Sequence, residues 1–317
     1  MTLRLAVLGC GWVADMHVRA AAACGAEIAG LANHRISSAQ RFAAEHGIER
    51  VTTDWRELVS DPDVDAVVVC TPNALHPRQS IVALEAGKHV LCEKPMATRV
   101  ADGEEMLETA ARHDRLLLVL HPWRHHPAVI ALRDAIVAGR LGRVVRTHGY
   151  GAHADWGPAG WFTDAALAGG GALFDMGIHA IDTARFLLGE PDALRVRASI
   201  TTAHGSYDVD DDALVLIEWE GGAHSLVESG WWQPHLGGYE ADTEVYGSAG
   251  YRRIWARVQP PGYVHCDVNL FTAQMRAVLA QLEDWQPGAP SPIHGLAALR
   301  ICEQAYGSAG VRTSHAG

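Results

Sequence analysis

A short apolar run, residues 3–8, feeds straight into Gly9-Cys10-Gly11-Trp12-Val13-Ala14, after which the pattern through Ala23 is helical. A strand that turns through G-x-G-x-x-A into a helix restricts the fold more than any other feature of this chain. The first glycine permits the tight turn, the second lets a pyrophosphate approach the backbone, and a small third residue lets the helix pack close on the strand. The N–H groups at the start of such a helix have no partner within it and favour an anion. The stretch therefore predicts a dinucleotide site built from Gly9, Gly11, Trp12, Val13 and Ala14, against the competing reading of a merely structural turn.

Residues 27–31 form the next strand, which runs into Ala32-Asn33-His34-Arg35 instead of the carboxylate that commonly grips the ribose 2'-hydroxyl of NAD. Asn33 can hydrogen-bond a ribose, and Arg35 beside His34 can accept an added 2'-phosphate. Asn33, His34 and Arg35 are thus assigned to a cofactor expected to be NAD(P), with a lean toward NADP. Arg35 as a solvated loop residue is the alternative.

Strand and helix signals then alternate: helix 37–46, a short helix 55–59, strand 64–70, helix 75–85, strand 89–92, helix 101–113 and strand 116–120. This βαβ rhythm predicts a parallel sheet whose carboxyl edge binds ligands. Thr71, Pro72, Asn73 and His76 follow one strand and Glu93-Lys94-Pro95 another, so Thr71, Pro72, Asn73, His76, Glu93 and Lys94 join the cofactor set. Lys94 falls at the same edge as the glycine turn, although lysines are mostly exposed and inert.

The rhythm changes at Pro122. Residues 1–121 are read as a dinucleotide-binding domain and 122–317 as a substrate-binding and oligomerisation domain of α+β type. Its strands, near 144–150, 194–202, 213–219, 224–229 and 240–246, predict a large, open, mostly antiparallel sheet. Helices are predicted at 129–138, 269–283 and 295–306, the last placed to pack back toward the first domain.

Residues 169–182 read GGGALFDMGIHAID. On an α-helix, Asp175 and His179 stand one turn apart on a shared face. A histidine near its ordinary pKa can take or give a proton at neutral pH, and a nearby carboxylate can fix its tautomer. Taken alone, the pair could equally be two solvated polar residues.

Lys plus Arg total 26 against Asp plus Glu 37, a net charge of −11, which disfavours nucleic acid or an anionic membrane as partner. The 6 cysteines have no C-x-x-C spacing and no secretory leader precedes the first strand, so a reduced cytoplasm is expected. Apolar runs are too short to span a bilayer. The 18 histidines include no H-E-x-x-H arrangement, and no metal is expected.

Three motifs stand in fixed order: GCGWVA at 9–14, EKP at 93–95 and GGGALFDMGIHAID at 169–182, accompanied by TPNALH at 71–76 and GRLGRV at 139–144. Together they resemble the glucose-fructose oxidoreductase/inositol dehydrogenase (Gfo/Idh/MocA) family from Leu3 to about Tyr306. The resemblance implies a Rossmann domain followed by an α/β domain with a substrate cleft on one face of its sheet, and a homodimer or homotetramer formed through that sheet. It implies Lys94, Asp175 and His179 as the catalytic set, and a cis peptide before Pro95. The implied function is an NAD(P)-dependent oxidoreductase moving a hydride between nicotinamide C4 and a carbinol or carbonyl carbon of a sugar, amino sugar or cyclitol. A non-catalytic dinucleotide-binding sensor, or a redox-assisted lyase or glycosidase that retains its nicotinamide, is the alternative.

The chain departs from the family pattern at 121–127, where His121-Pro122-Trp123-Arg124-His125-His126-Pro127 stands, and at Trp161-Phe162, where a tryptophan-arginine pair is more usual. Substrate binding is assigned to Trp123, Arg124, His153, Trp161, Trp232 and His235 with Asp175 and His179, and Trp156 and Trp231 are further candidates for stacking on a ring. Most of these tryptophans could equally belong to a core or an interface.

Overall fold

The computed structural model describes residues 2–153, 159–232, 239–254 and 266–311, with the side chains of residues 153 and 239–241 outside the description. The chain divides into two compact units. The first comprises Met1–Ala97, Ala101–Pro122 and Cys266–Gly295, and the second holds the remaining described residues.

The first unit contains β1 (Arg4–Leu8), α1 (Trp12–Ala23), β2 (Glu27–Ala32), α2 (Ile36–His46), β3 (Val51–Thr52), α3 (Arg56–Val59), β4 (Ala66–Val69), α4 (His76–Glu85), β5 (His89–Glu93), α5 (Val100–Arg112) and β6 (Leu117–Leu120). The strands pair in the order β3-β2-β1-β4-β5-β6, and all pairs are parallel. The run Ala66-Val67-Val68-Val69 is fully buried, as a β-branched strand covered on both faces must be. The order reverses between β1 and β4, which is where open parallel sheets bind ligands at their carboxyl ends. Register aligns Leu8 with Val69 and Val69 with Cys92. The ends of β1 and β5 are therefore two strand spacings apart, about 10 Å.

The second unit contains α6 (Pro127–Val137), β7 (Val144–His153), α7 (Ala165–Ala168), a π turn at Leu173–Gly177, α8 (Ile178–Leu187), β8 (Ala193–Thr201), β9 (Asp212–Trp219), β10 (His224–Gly230), β11 (Tyr239–Gly247) and β12 (Gly250–Arg253). Its sheet order is β12-β11-β7-β10-β9-β8, antiparallel except for the β7–β10 pair. The π turn and α8 pack on β7 and β10, so one face of the sheet carries the Asp175–His179 segment. Two helices end the chain, α9 (Val268–Asp284) and α10 (His294–Ser308).

Three expectations change. First, Cys266–Gly295 groups with the first unit and not with residues 123–265. The buried face of α9, with Leu270, Phe271 and Met275, lies on α1, and residues of α10 from Leu296 onward group with the second unit. Second, residues 250–253 form an edge strand that the glycine-rich turn signal had hidden. Third, Asp175 and His179 do not share one regular α-helix. Asp175 lies in the π turn and His179 in the first turn of α8, a one-turn widening of the kind that recurs at functional sites.

Candidate active site

The glycine turn has the shape the sequence requires. Gly9 adopts φ +103°, and a Cβ there would collide with the Cys70 carbonyl. Gly11 is different: its φ of −83° suits any residue, and a Cβ would meet nothing within 4 Å. Its bare face opens onto space at the start of α1, where no side chain caps the helix. Ala14 is fully buried, which lets α1 lie close on the sheet. This cradle fits a dinucleotide pyrophosphate, which the N–H groups of Gly11, Trp12 and Val13 would hold. At the end of β2, His34 and Arg35 are exposed, Arg35 Nε donates to His34 Nε2 at 3.1 Å, and Asn33 Nδ2 donates to the Arg35 carbonyl at 3.2 Å. These three fit a ribose and, through the guanidinium, a 2'-phosphate.

Lys94 follows β5 on the same sheet edge, half-buried, and its bond to Pro95 is cis. Glu93 and His76, expected at the cofactor, use their polar atoms inside the protein instead. The Glu93 carboxylate is buried, with Oε1 2.6 Å from His17 Nε2 and Oε2 accepting the Lys94 backbone N–H at 3.1 Å. Burial pushes the Glu93 carboxyl up, but the hydrogen bond and charge of His17, with Lys94, outweigh it and hold it below its ordinary value. His76 Nδ1 lies 2.8 Å from the Pro95 carbonyl and Nε2 2.7 Å from the Thr71 carbonyl. Only an imidazolium donates to both carbonyls; burial nevertheless drives the ring below its ordinary pKa, against the pull of those two oxygens. His76 thus ties the end of β4 to the Lys94 segment. Thr71 Oγ1 donates to Gln79 Oε1 at 2.5 Å, Asn73 is buried, and Pro72 is half-buried beside them.

In the second unit, the glycine run is a docking surface. A Cβ on Gly171 would strike the Asp210 backbone. The Asp210 carboxylate accepts the N–H groups of Gly171 at 2.7 Å and Leu173 at 2.9 Å, and the Tyr306 hydroxyl at 2.6 Å. Burial raises the Asp210 pKa despite these donors, and burial together with Asp210 raises the Tyr306 hydroxyl well above its ordinary value. Anchored this way, the π turn presents Asp175, whose Oδ2 accepts the Trp231 indole N–H at 3.1 Å. His179 is 8% exposed and meets the Trp123 ring edge to face, with centroids 6.4 Å apart. A carboxylate and an imidazole on consecutive helical turns can orient a hydroxyl and exchange its proton.

The expected substrate residues separate. Trp123, 3% exposed, is a core residue beside His179. The Arg124 guanidinium is spent on structure: Nε and Nη2 donate to the two Asp182 oxygens, each at 2.7 Å, and Nη1 donates to Glu190 at 2.5 Å. Trp161 is half-buried and stacks on Phe162, with centroids 4.0 Å apart. Trp232 is exposed, and its indole N–H donates to Tyr207 Oη at 3.2 Å. It is its neighbour Trp231 that touches Asp175. The His153 side chain, Trp156 and His235 lie outside the described residues.

Sequence reasoning missed His17, Asp210, Tyr306 and the particular role of Trp231. His17 lies three residues past Ala14 on the glycine-turn helix, which was its one sequence signal. Asp210, inside Asp208-Val209-Asp210-Asp211-Asp212, reads as a solvated acidic turn. Among the described residues, no cluster of His, Cys, Asp or Glu could hold a metal ion.

A six-stranded parallel sheet with this glycine turn and this strand order defines a dinucleotide-binding Rossmann protein, extended here by a second α/β unit. Residues 3–121 match the model of an oxidoreductase family with an NAD-binding Rossmann fold, and residues 129–253 match the Gfo/Idh/MocA C-terminal domain. The chain belongs to the Gfo/Idh/MocA oxidoreductase family. It is 36% identical over 223 residues to 1,5-anhydro-D-fructose reductase of Ensifer adhaerens, covering 69% of this chain and 66% of that protein. It is 33% identical over 217 residues to levoglucosan dehydrogenase of Pseudarthrobacter phenanthrenivorans, covering 60% of this chain and 55% of that protein. The match spans less than two thirds of the length of each. Among solved structures, the crystal structure of GenD2 from gentamicin A biosynthesis in complex with NAD superimposes with a TM-score of 0.88 at 26% identity, covering 98% of this chain and 94% of that one.

Proposed function

We propose that the chain is an NAD(P)-dependent oxidoreductase that moves a hydride between nicotinamide C4 and a carbinol or carbonyl carbon of a sugar, amino sugar or cyclitol. The observation that carries this reading is the Lys94 segment. It follows β5, whose end lies about 10 Å from the end of β1 on the sheet edge that bears the glycine cradle, and buried side chains hold its backbone. The names of two relatives, an anhydrofructose reductase and a levoglucosan dehydrogenase, favour a sugar ring.

When bound, the dinucleotide supplies the hydride donor or acceptor. Lys94 polarises the substrate oxygen. His179 takes the hydroxyl proton in oxidation and returns it in reduction, and Asp175, oriented by Trp231, holds the substrate or the histidine in place. Trp161 and Trp232 are offered to the ring as stacking surfaces. Because Arg35 is exposed at the end of β2 with no carboxylate beside it in sequence, we infer that the site takes NADP at least as readily as NAD, although GenD2 was solved with NAD.

Two further readings go with this one. Exposed Leu214 and Leu216 on β9 support a homodimer or homotetramer through the second sheet, which sedimentation would test. Six free thiols favour a reduced cytoplasmic setting, and no described helix is long and apolar enough to cross a membrane.

Fluorescence titration with NADH and NADPH, then absorbance at 340 nm over sugars, amino sugars and cyclitols, tests the reading. Dinucleotide binding with a substrate-dependent change at 340 nm is expected. Binding with no change over the whole panel overturns it in favour of a sensor.

A further inference from the structure

We propose that His17 is a positioning residue for Lys94 and acts on it through Glu93. The inference rests on the reading of Lys94 as a catalytic group and adds a residue which that reading does not include. His17 lies on α1, the helix opened by the glycine turn, and is 1% exposed. Its Nε2 stands 2.6 Å from Glu93 Oε1, and the other oxygen of the same carboxylate accepts the Lys94 backbone N–H at 3.1 Å. One buried carboxylate thus joins the helix of the cofactor cradle to the backbone of the reactive lysine.

Chemistry fixes the direction of this link. A carboxylate buried without donors is strongly disfavoured, and Glu93, 6% exposed, receives its side-chain donor from His17. Nε2 donates in this bond, and Nδ1 is the other nitrogen of the ring. That Nδ1 is buried and has no hydrogen-bond partner among the described residues. A residue placed there only to fill space would be apolar and would avoid that desolvation. The rest of the ring is gripped by Phe271 of α9, edge to face, with centroids 5.0 Å apart. Among the described residues the imidazole therefore has one polar connection, Glu93, and through it bears on the placement of Lys94. Small misplacements of a reacting group cost rate steeply, so the link belongs to catalysis as well as to packing.

The test uses the intact protein and exploits its lysine content: Lys88 and Lys94 are the only two. Lys88 is buried, its Nζ donating to the Val64 carbonyl at 2.8 Å, and serves as an internal reference for the fold. Acetylation by acetic anhydride is followed at each lysine by peptide mass spectrometry in wild type, His17→Leu and His17→Gln. The Leu variant keeps volume and deletes the donor; the Gln variant restores an N–H near Nε2. In His17→Leu, the Lys94 rate should depart from wild type by about threefold or more with Lys88 unchanged, and kcat on the substrate found at 340 nm should fall about tenfold while the dinucleotide Kd stays within about threefold. His17→Gln should recover both readouts. An unaltered Lys94 rate, or an unaltered kcat, in His17→Leu overturns the proposal. If His17→Leu also exposes Lys88, the comparison passes to Glu93→Gln, where an unaltered Lys94 rate is equally contrary. Wild type lacking turnover on every carbinol substrate refutes the functional reading of Lys94 instead, and the acetylation result still decides whether His17 places it.

Discussion

Trp231 donates its indole N–H to Asp175 Oδ2 at 3.1 Å, from a ring that is 1% exposed. The bond fixes the orientation of one carboxylate oxygen. Trp231→Phe keeps most of the buried volume and removes the donor. A hydrogen bond to a charged group is worth about 1.5–3 kcal/mol, so kcat/KM should fall about 10- to 100-fold. Steady-state kinetics beside a melting curve check this: a loss in Tm matched by unchanged kcat/KM would reduce Trp231 to a packing residue.

His179→Ala should lower kcat by about 10² to 10⁴ and leave dinucleotide affinity unchanged, because the imidazole belongs to the second unit and the glycine cradle to the first. Fluorescence titration and initial rates measure the two quantities on one sample. Near-normal turnover would remove the histidine from the mechanism.

Gly11 and Gly171 separate binding from folding. A methyl group at Gly11 meets nothing within 4 Å and needs no backbone change, so Gly11→Ala should melt like wild type yet bind dinucleotide at least about tenfold more weakly by obstructing the cradle. At Gly171 a methyl group runs into the Asp210 backbone, so Gly171→Ala should lose Tm by several degrees. Calorimetry and titration on the two variants give the contrast, and wild-type affinity in Gly11→Ala would contradict the cradle.

His89 sets an acid limit on the first unit. Its Nδ1 accepts the Leu116 N–H at 3.0 Å, which requires a neutral ring at that nitrogen. Burial, helped by Arg115 and opposed by Asp65, takes its pKa from 6.5 down to about 4. Because the folded value lies below the unfolded one, the neutral ring's contribution is complete above pH 6.5 and lost as the pH falls from there toward 4. His89→Asn keeps an acceptor but does not titrate. Its Tm should fall less steeply than that of wild type between those two pH values; parallel slopes would exclude His89 as the source.

Arg35 decides the cofactor reading. Arg35→Ala should weaken NADPH by about tenfold and leave NADH within about twofold, because only NADPH carries the phosphate that the guanidinium would bind. Wild type binding NADH more tightly than NADPH would end the lean toward NADP.

Five strands of the parallel sheet were legible as apolar runs of strand length between helical segments, as in Ala66–Val69 and Leu117–Leu120, whereas β3, only Val51–Thr52, is too short to carry a pattern. Lys94, Asp175 and His179 are proposed from their motifs. What holds them was not legible. His17 and Glu93 are 76 residues apart, Trp231 and Asp175 56, and Tyr306 and Asp210 96. No local periodicity encodes such pairs, and each looks ordinary in its own segment. Arg124 misled for the converse reason: a basic side chain in a motif-rich stretch says nothing about what it meets, and Asp182, far along the chain, had already taken the guanidinium. The π turn escaped because periodicity assumes 3.6 residues per turn throughout.

The central claim is that this chain moves a hydride between a carbinol carbon and nicotinamide C4. The most direct measurement takes a substrate from the 340 nm panel carrying deuterium on the carbinol carbon, runs it to completion with oxidised dinucleotide, and weighs the reduced dinucleotide by mass spectrometry. Deuterium recovered in the reduced nicotinamide, and lost from the sugar, is the predicted result. Product formed with no net reduction of added dinucleotide, or reduced dinucleotide free of label, would contradict it.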